Sequence, residues 1–116
     1  MRINNAADVP AETVEAGAEG VCIQWLLDES HGAPHFSLRR FTIAPGGFTP
    51  LHAHDWEHVV YILDGQGAVV EGEREHPFRP DDAILVPPGC THQFRNTGAA
   101  NLRLLCLVPN GPATQH

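Results

Sequence analysis

The sequence has no lysine: all seven of its basic residues are arginines. That absence excludes Schiff-base chemistry on a lysine amine. Positive charge is scarce altogether, with 7 Lys+Arg against 14 Asp+Glu and a formal net charge of −7. Nucleic-acid binding needs a basic footprint that releases counterions, so that class of partner is excluded. No apolar run approaches the eighteen or so residues of a membrane helix. The opening stretch MRINNAADVPAETVEAGAEG is polar and acidic and lacks the apolar segment of a secretory signal, so a cytoplasmic location is expected. Cysteine is sparse as well. Cys22, Cys90 and Cys106 form no CxxC pair, and an odd count without an export signal reads as reduced, inert thiols. No Ser-His-Asp arrangement, phosphate loop or pair of acids stands out.

What is present is strand punctuation. A chain of 116 residues with 42% hydrophobic content suffices for one core without disulfides. β-rich runs occur at Val21–Leu27, His35–Ala44, His58–Leu63, Ala68–Glu71, Ala83–Val86, His92–Asn96 and Leu102–Val108, separated by Gly, Pro and Asp turns. Pro45-Gly46-Gly47 reads as the stop of the second run, and Asp64-Gly65-Gln66-Gly67 as a hairpin turn. Short strands at this spacing indicate an antiparallel sandwich or barrel. The one helix candidate, PAETVEAGAEG, has Pro near its start but is interrupted by glycine. The expected organisation is an N-terminal segment over 1–20 (an edge strand or arm), a barrel over 21–109 and a tail over 110–116.

Histidine is concentrated in TPLHAHDWEHVVYILDG. His31, His35, His76 and the terminal His116 are scattered and read as structural or surface residues. His52, His54 and His58 differ. On a strand, residues i and i+2 share a face, so His52 and His54 aim two imidazoles at one point. The polar, bulky Asp55-Trp56-Glu57 suggests a corner, after which His58 opens the neighbouring strand. His92, following Pro87-Pro88-Gly89, is a fourth candidate. Neutral imidazoles from neighbouring strands suit a divalent metal.

These residues resemble the cupin superfamily. Its first motif, a glycine, five residues, HxH, three residues, a fourth ligand, six residues and a glycine, fits Gly46, His52-Ala53-His54, His58 and Gly65. Its second fits Pro87-Pro88-Gly89, His92 and Asn96, with Asp81 where a glycine is usual. The fourth ligand of the first motif is usually glutamate. Here it is His58, and Glu57, one residue earlier, points to the opposite face by strand parity. The HxHxxEH form is similar to small single-domain bacterial cupins that hold manganese through four histidines. The resemblance implies an all-β cupin barrel (a double-stranded β-helix, or jelly roll) of two antiparallel sheets. It implies one divalent metal per chain at His52, His54, His58 and His92, manganese being preferred and Fe, Cu, Ni or Zn being alternatives.

Four imidazoles add no charge, so the ion keeps its full 2+, and a six-coordinate ion keeps two open positions. The parity of the last strand turns Leu104 and Cys106 inward. Arg39 shares parity with Phe41 and Ile43, and Phe94 with His92, so Arg39, Phe94, Leu104 and Cys106 are candidate pocket residues. The expected function is a metal-dependent oxidoreductase of dioxygenase type, with O₂ as partner, on a small organic substrate. The alternatives are a metal-dependent isomerase or lyase on a sugar or sugar acid, and a non-catalytic binding or sensing module. A homodimer is expected from the resemblance, with Leu105 and Leu107 facing outward.

Overall fold

A computed structural model describes residues 1–114; the terminal His116 lies outside the described residues. Among the described residues, nine strands run in chain order: β1 (Glu12–Val14), β2 (Glu19–Leu27), β3 (Phe36–Phe48), β4 (His58–Asp64), β5 (Gly67–Glu71), β6 (Arg74–Phe78), β7 (Ala83–Val86), β8 (His92–Asn96) and β9 (Leu102–Pro109). They pair in the order β6-β5-β8-β3-β9-β4-β7, with β2 added to β3 and β1 to β2. All pairings are antiparallel. The sheet curls into a jelly-roll barrel whose closure covers an inward apolar face.

Alternation decides that face. In β9, Leu102, Leu104, Cys106 and Val108 are buried while Arg103 is exposed and Leu105 and Leu107 are half-buried. In β4, Val60 and Ile62 have no exposure, whereas Val59, Tyr61 and Leu63 face out. Successive registers line up Trp25, Arg39, Cys106 and Val60 across four strands, and Ile23, Phe41, Leu104 and Ile62 in the next row. Every residue of the second row except half-buried Phe41 is in the buried core.

Four local expectations change. Asp64-Gly65-Gln66-Gly67 is not a hairpin turn: β4 pairs with β7 and β9 and β5 with β6 and β8, so the turn joins strands that are not neighbours in the sheet. The helix candidate is absent: Glu12–Val14 pairs with Val21–Ile23, because pairing to a sheet edge outweighs a weak helical preference broken by Gly17 at φ 75°. β3 does not stop at Pro45-Gly46-Gly47 but continues to Phe48. Its register on β2 jumps from Ile43↔Val21 to Phe48↔Glu19, so the triplet forms a bulge that bends the strand instead of ending it. Gly46 takes φ 77° there, and a Cβ at Gly47 would lie 2.5 Å from the Glu19 carbonyl oxygen. The bend carries β3 from β9 over to β8, where Phe48 pairs with Arg95 while still opposite Glu19 of β2. Finally, His52 and His54 lie on irregular chain, not on a strand. His52 makes only an isolated bridge to His92.

Turn chemistry fixes the corners. Asn96 is buried; its amide donates to the carbonyls of Ile43 (2.8 Å) and Ala100 (2.9 Å), and its Oδ1 accepts from Gly98 N–H (2.9 Å). It is a staple between strands. Asp81 adopts φ 74°, so the position usually held by glycine keeps a left-handed conformation, which Asp tolerates better than most residues.

Candidate metal centre

The chain leaves β3 at Phe48 and runs beside β8. Thr49 N–H donates to the Phe94 carbonyl at 2.9 Å, and Phe94 N–H donates to Thr49 Oγ1 at 2.9 Å. Two further backbone bonds, His92 N–H to His52 O (2.9 Å) and the reverse (3.2 Å), set His52 opposite His92. The Gly89 N–H donates to His54 O at 2.6 Å and ties the Pro87-Pro88-Gly89 turn to the same segment. His58 then begins β4 and is buried, while Glu57 is exposed. Irregular backbone plus these ties achieves what strand parity was expected to achieve.

The four imidazoles are neighbours. Ring centroids are 4.1 Å apart for His52–His54, 5.1 Å for His52–His92, 4.9 Å for His58–His92 and 5.4 Å for His54–His58. Trp56 stacks on His54 at 4.4 Å with planes 8° apart. The bend at Asp55-Trp56 therefore has a role: it lays an indole along one candidate ligand. His31, His35 and His76 are not part of this ring cluster; His76 instead contacts Glu71 at 2.9 Å on the outer surface.

Among the described residues, no three His, Cys, Asp or Glu side chains already form a closed metal-holding group. The rings are gathered, with planes tilted by 47–66°, but are not clamped about one point. The donor set nevertheless fits a metal. His58 Nε2 is buried without a hydrogen-bond partner. His92 Nδ1 lies 2.9 Å from the Cys90 carbonyl; a carbonyl can only accept, so that nitrogen carries the proton and Nε2 keeps a free lone pair. Burial, then the neighbouring His54, His92 and Arg39, lowers the His52 pKa to about 4. Burial, then Arg39 and the other histidines, lowers His58 to about 3. Burial also lowers His54, helped by His92 and Arg39. These three rings are neutral at pH 7, the state in which imidazole binds a metal.

A pocket of about 350 Å³ opens over the cluster. Its wall contains all four histidines together with Arg39, Phe94, Leu104 and Cys106. The aromatic side chains Trp25, Phe41, Trp56 and Phe94 face it, and no Asp or Glu is among its described lining residues. Arg39 is buried at 9% exposure. Its Nη2 donates to Cys106 Sγ at 3.0 Å, and Cys106 Sγ lies 3.4 Å from His58 Nδ1. The sequence reading missed Trp25 and Phe41 as wall residues, although Trp25 shares strand parity with buried Val21 and Ile23. It also missed Val14 of β1 and Pro112 and Ala113 of the tail. Nothing in their local sequence marks them; the fold brings β1 and the segment after β9 into the pocket wall.

The Cupin domain family matches residues 39–108. The chain is a cupin. Cupins bind small-molecule ligands and commonly hold a metal. This cupin is 31% identical over 120 residues to auxin-binding protein 1 of Arabidopsis thaliana, covering 95% of this chain and 60% of that protein. It is 37% identical over 71 residues to 1-methylthio-D-xylulose 5-phosphate methylsulfurylase of Rhodospirillum rubrum, covering 61% of this chain and 46% of the relative. It thus spans about half of the length of the curated relatives it matches. Among solved structures, the polyketide cyclase RemF from Streptomyces resistomycificus superposes with a TM-score of 0.90 at 35% identity, covering 96% of this chain and 80% of that one. No helix among the described residues is long and apolar enough to cross a membrane.

Proposed function

We propose that this cupin is a metal-dependent enzyme that acts on a small, flat, carbonyl-bearing organic substrate at His52, His54, His58 and His92. The observation that carries the reading is four clustered imidazoles in an aromatic-walled pocket whose described lining has no carboxylate. When bound there, one divalent ion would supply Lewis-acid polarisation of a substrate oxygen. Manganese is the first expectation and Fe, Cu, Ni or Zn the alternatives, since imidazole suits several of these ions. The chain's own residues do the rest. Trp25, Phe41 and Phe94 provide faces against which a conjugated ring lies, and Leu104 and Cys106 close the floor against water. Arg39 adds a buried positive charge to the same wall.

Two chemistries suit this pocket. Sequence alone puts dioxygenation first. The similarity to the polyketide cyclase RemF, which covers most of both chains, favours non-redox carbonyl chemistry of the cyclase, isomerase or lyase kind. We adopt the non-redox reading. Turnover of a panel of enolic and polycarbonyl aromatics, compared in air and under argon with each metal, tests it. Equal rates without oxygen support it; strictly oxygen-dependent turnover restores the dioxygenase reading. The likeness to auxin-binding protein 1 supports a second reading, a non-catalytic receptor, which calls for saturable ligand binding without conversion. A reduced, cytoplasmic setting and a homodimer belong to the same proposal.

A further inference from the structure

Arg39 is buried in the pocket wall, yet no carboxylate among the described residues pairs with it. Its hydrogen bond is to the Cys106 thiol, a weak acceptor. The guanidinium sits over the rings of Trp25 (5.5 Å) and Phe41 (5.1 Å), which fixes its plane without neutralising its charge. A buried cation without a counter-ion is disfavoured, so its retention calls for a partner supplied from elsewhere.

A second observation points the same way. Among the described residues, the buried side-chain nitrogens without a partner are Arg39 Nε, Trp56 Nε1 and His58 Nε2, and all three residues line this one pocket. Two of these atoms, the guanidinium Nε and the indole Nε1, can only donate. The complement of such a pair is an acceptor carrying negative charge.

We propose that Arg39 and the Trp56 indole N–H form the receptor for an anionic oxygen on a flat conjugated substrate: a carboxylate, or the enolate or phenolate of a conjugated carbonyl compound. This deepens the reading above, because it rests on this pocket being the substrate site. The aromatic wall selects the flat body and Arg39 selects its charge, in a protein whose overall net charge of −7 would otherwise repel such a ligand.

Calorimetric titration of the full-length, metal-loaded chain with 2-naphthoate and with neutral 2-naphthamide tests this. The wild type binds the acid about ten- to a hundredfold more tightly than the amide, the range expected for one buried charge-assisted hydrogen bond. Arg39→Met removes that preference, Arg39→Lys restores part of it, and Trp56→Phe reduces it severalfold. Arg39→Met also keeps wild-type metal content and melts no lower than the wild type, because it removes an unpaired buried charge while keeping an apolar stem. The proposal is overturned if the wild type shows no preference for the acid, including no binding of it. It is equally overturned if Arg39→Met retains the preference, or melts far below the wild type as a purely structural arginine would. Failure of the metal reading looks different: a wild type that takes up no metal but keeps its Arg39-dependent preference for the acid.

Discussion

Lowering the pH from 7 to 5 should release metal from this site far less than from an ordinary histidine cluster. A ligand histidine titrating at 6.5 is about three-quarters neutral at pH 7 and about 3% neutral at pH 5, so each one weakens apparent metal affinity about 25-fold. Four such ligands would cost more than about 10⁵-fold. In this chain, burial holds His52 at about 4 and His58 at about 3. At pH 5 both remain more than about nine-tenths neutral, so together they cost almost nothing. Even if every other ligand titrated at the ordinary value, the whole loss stays at about 700-fold or less. Competition of the metal-loaded protein with a chelating dye at pH 7, 6 and 5, corrected for the dye's own protonation, reads this directly. A loss above about 10⁵-fold would refute the claim that burial keeps these imidazoles neutral. The same shifts fix the sign for the metal-free chain. The unfolded state takes up protons at these positions from about pH 6.5 downward while the folded state does not, so stability is full above about 6.5 and falls as the pH drops toward 4 and then 3.

Two further outcomes are expected. Cys106→Ser keeps an acceptor for Arg39 Nη2 and a neighbour for His58 Nδ1; metal content stays at the wild-type value, and stability by urea titration falls by no more than about 2 kcal/mol, within the usual cost of one buried polar change. On the dimer expectation, the outward face built from Val59, Tyr61, Leu63 and Leu85, all exposed, beside half-buried Leu105 and Leu107, pairs with its copy. Leu85→Glu should then halve the mass seen by light scattering at an unchanged melting temperature; a monomeric wild type removes the idea.

Much of the fold is legible because its signals are local. Ala83–Val86 and His92–Asn96 are strands with the bounds that the turn residues suggest, and inward residues of β9 follow from alternation alone. Where pairing across the barrel decides, the local signal misleads. Pro45-Gly46-Gly47 looks like a stop but is a bulge, because β2 and β8 both claim β3. Glu12–Val14 is a strand only because the edge of β2 is there to receive it. The site divides in the same way. Spacing singles out four histidines, and the structure brings their rings together by an isolated bridge and a bend, not by the continuous strand that i, i+2 geometry implies. Trp25, Val14 and Ala113 reach the pocket from distant parts of the chain, and no local pattern encodes that convergence. Asp81 shows how a motif position tolerates change: the required left-handed turn survives without glycine.

The central claim, that His52, His54, His58 and His92 together hold a metal, is tested most directly by counting metal per chain in the purified wild type, His58→Ala and His76→Ala. The account predicts about one equivalent of a divalent transition ion in the wild type and in His76→Ala, whose imidazole contacts Glu71 at the surface, and almost none in His58→Ala. Equal metal in His58→Ala and the wild type, or loss from His76→Ala as well, would contradict it.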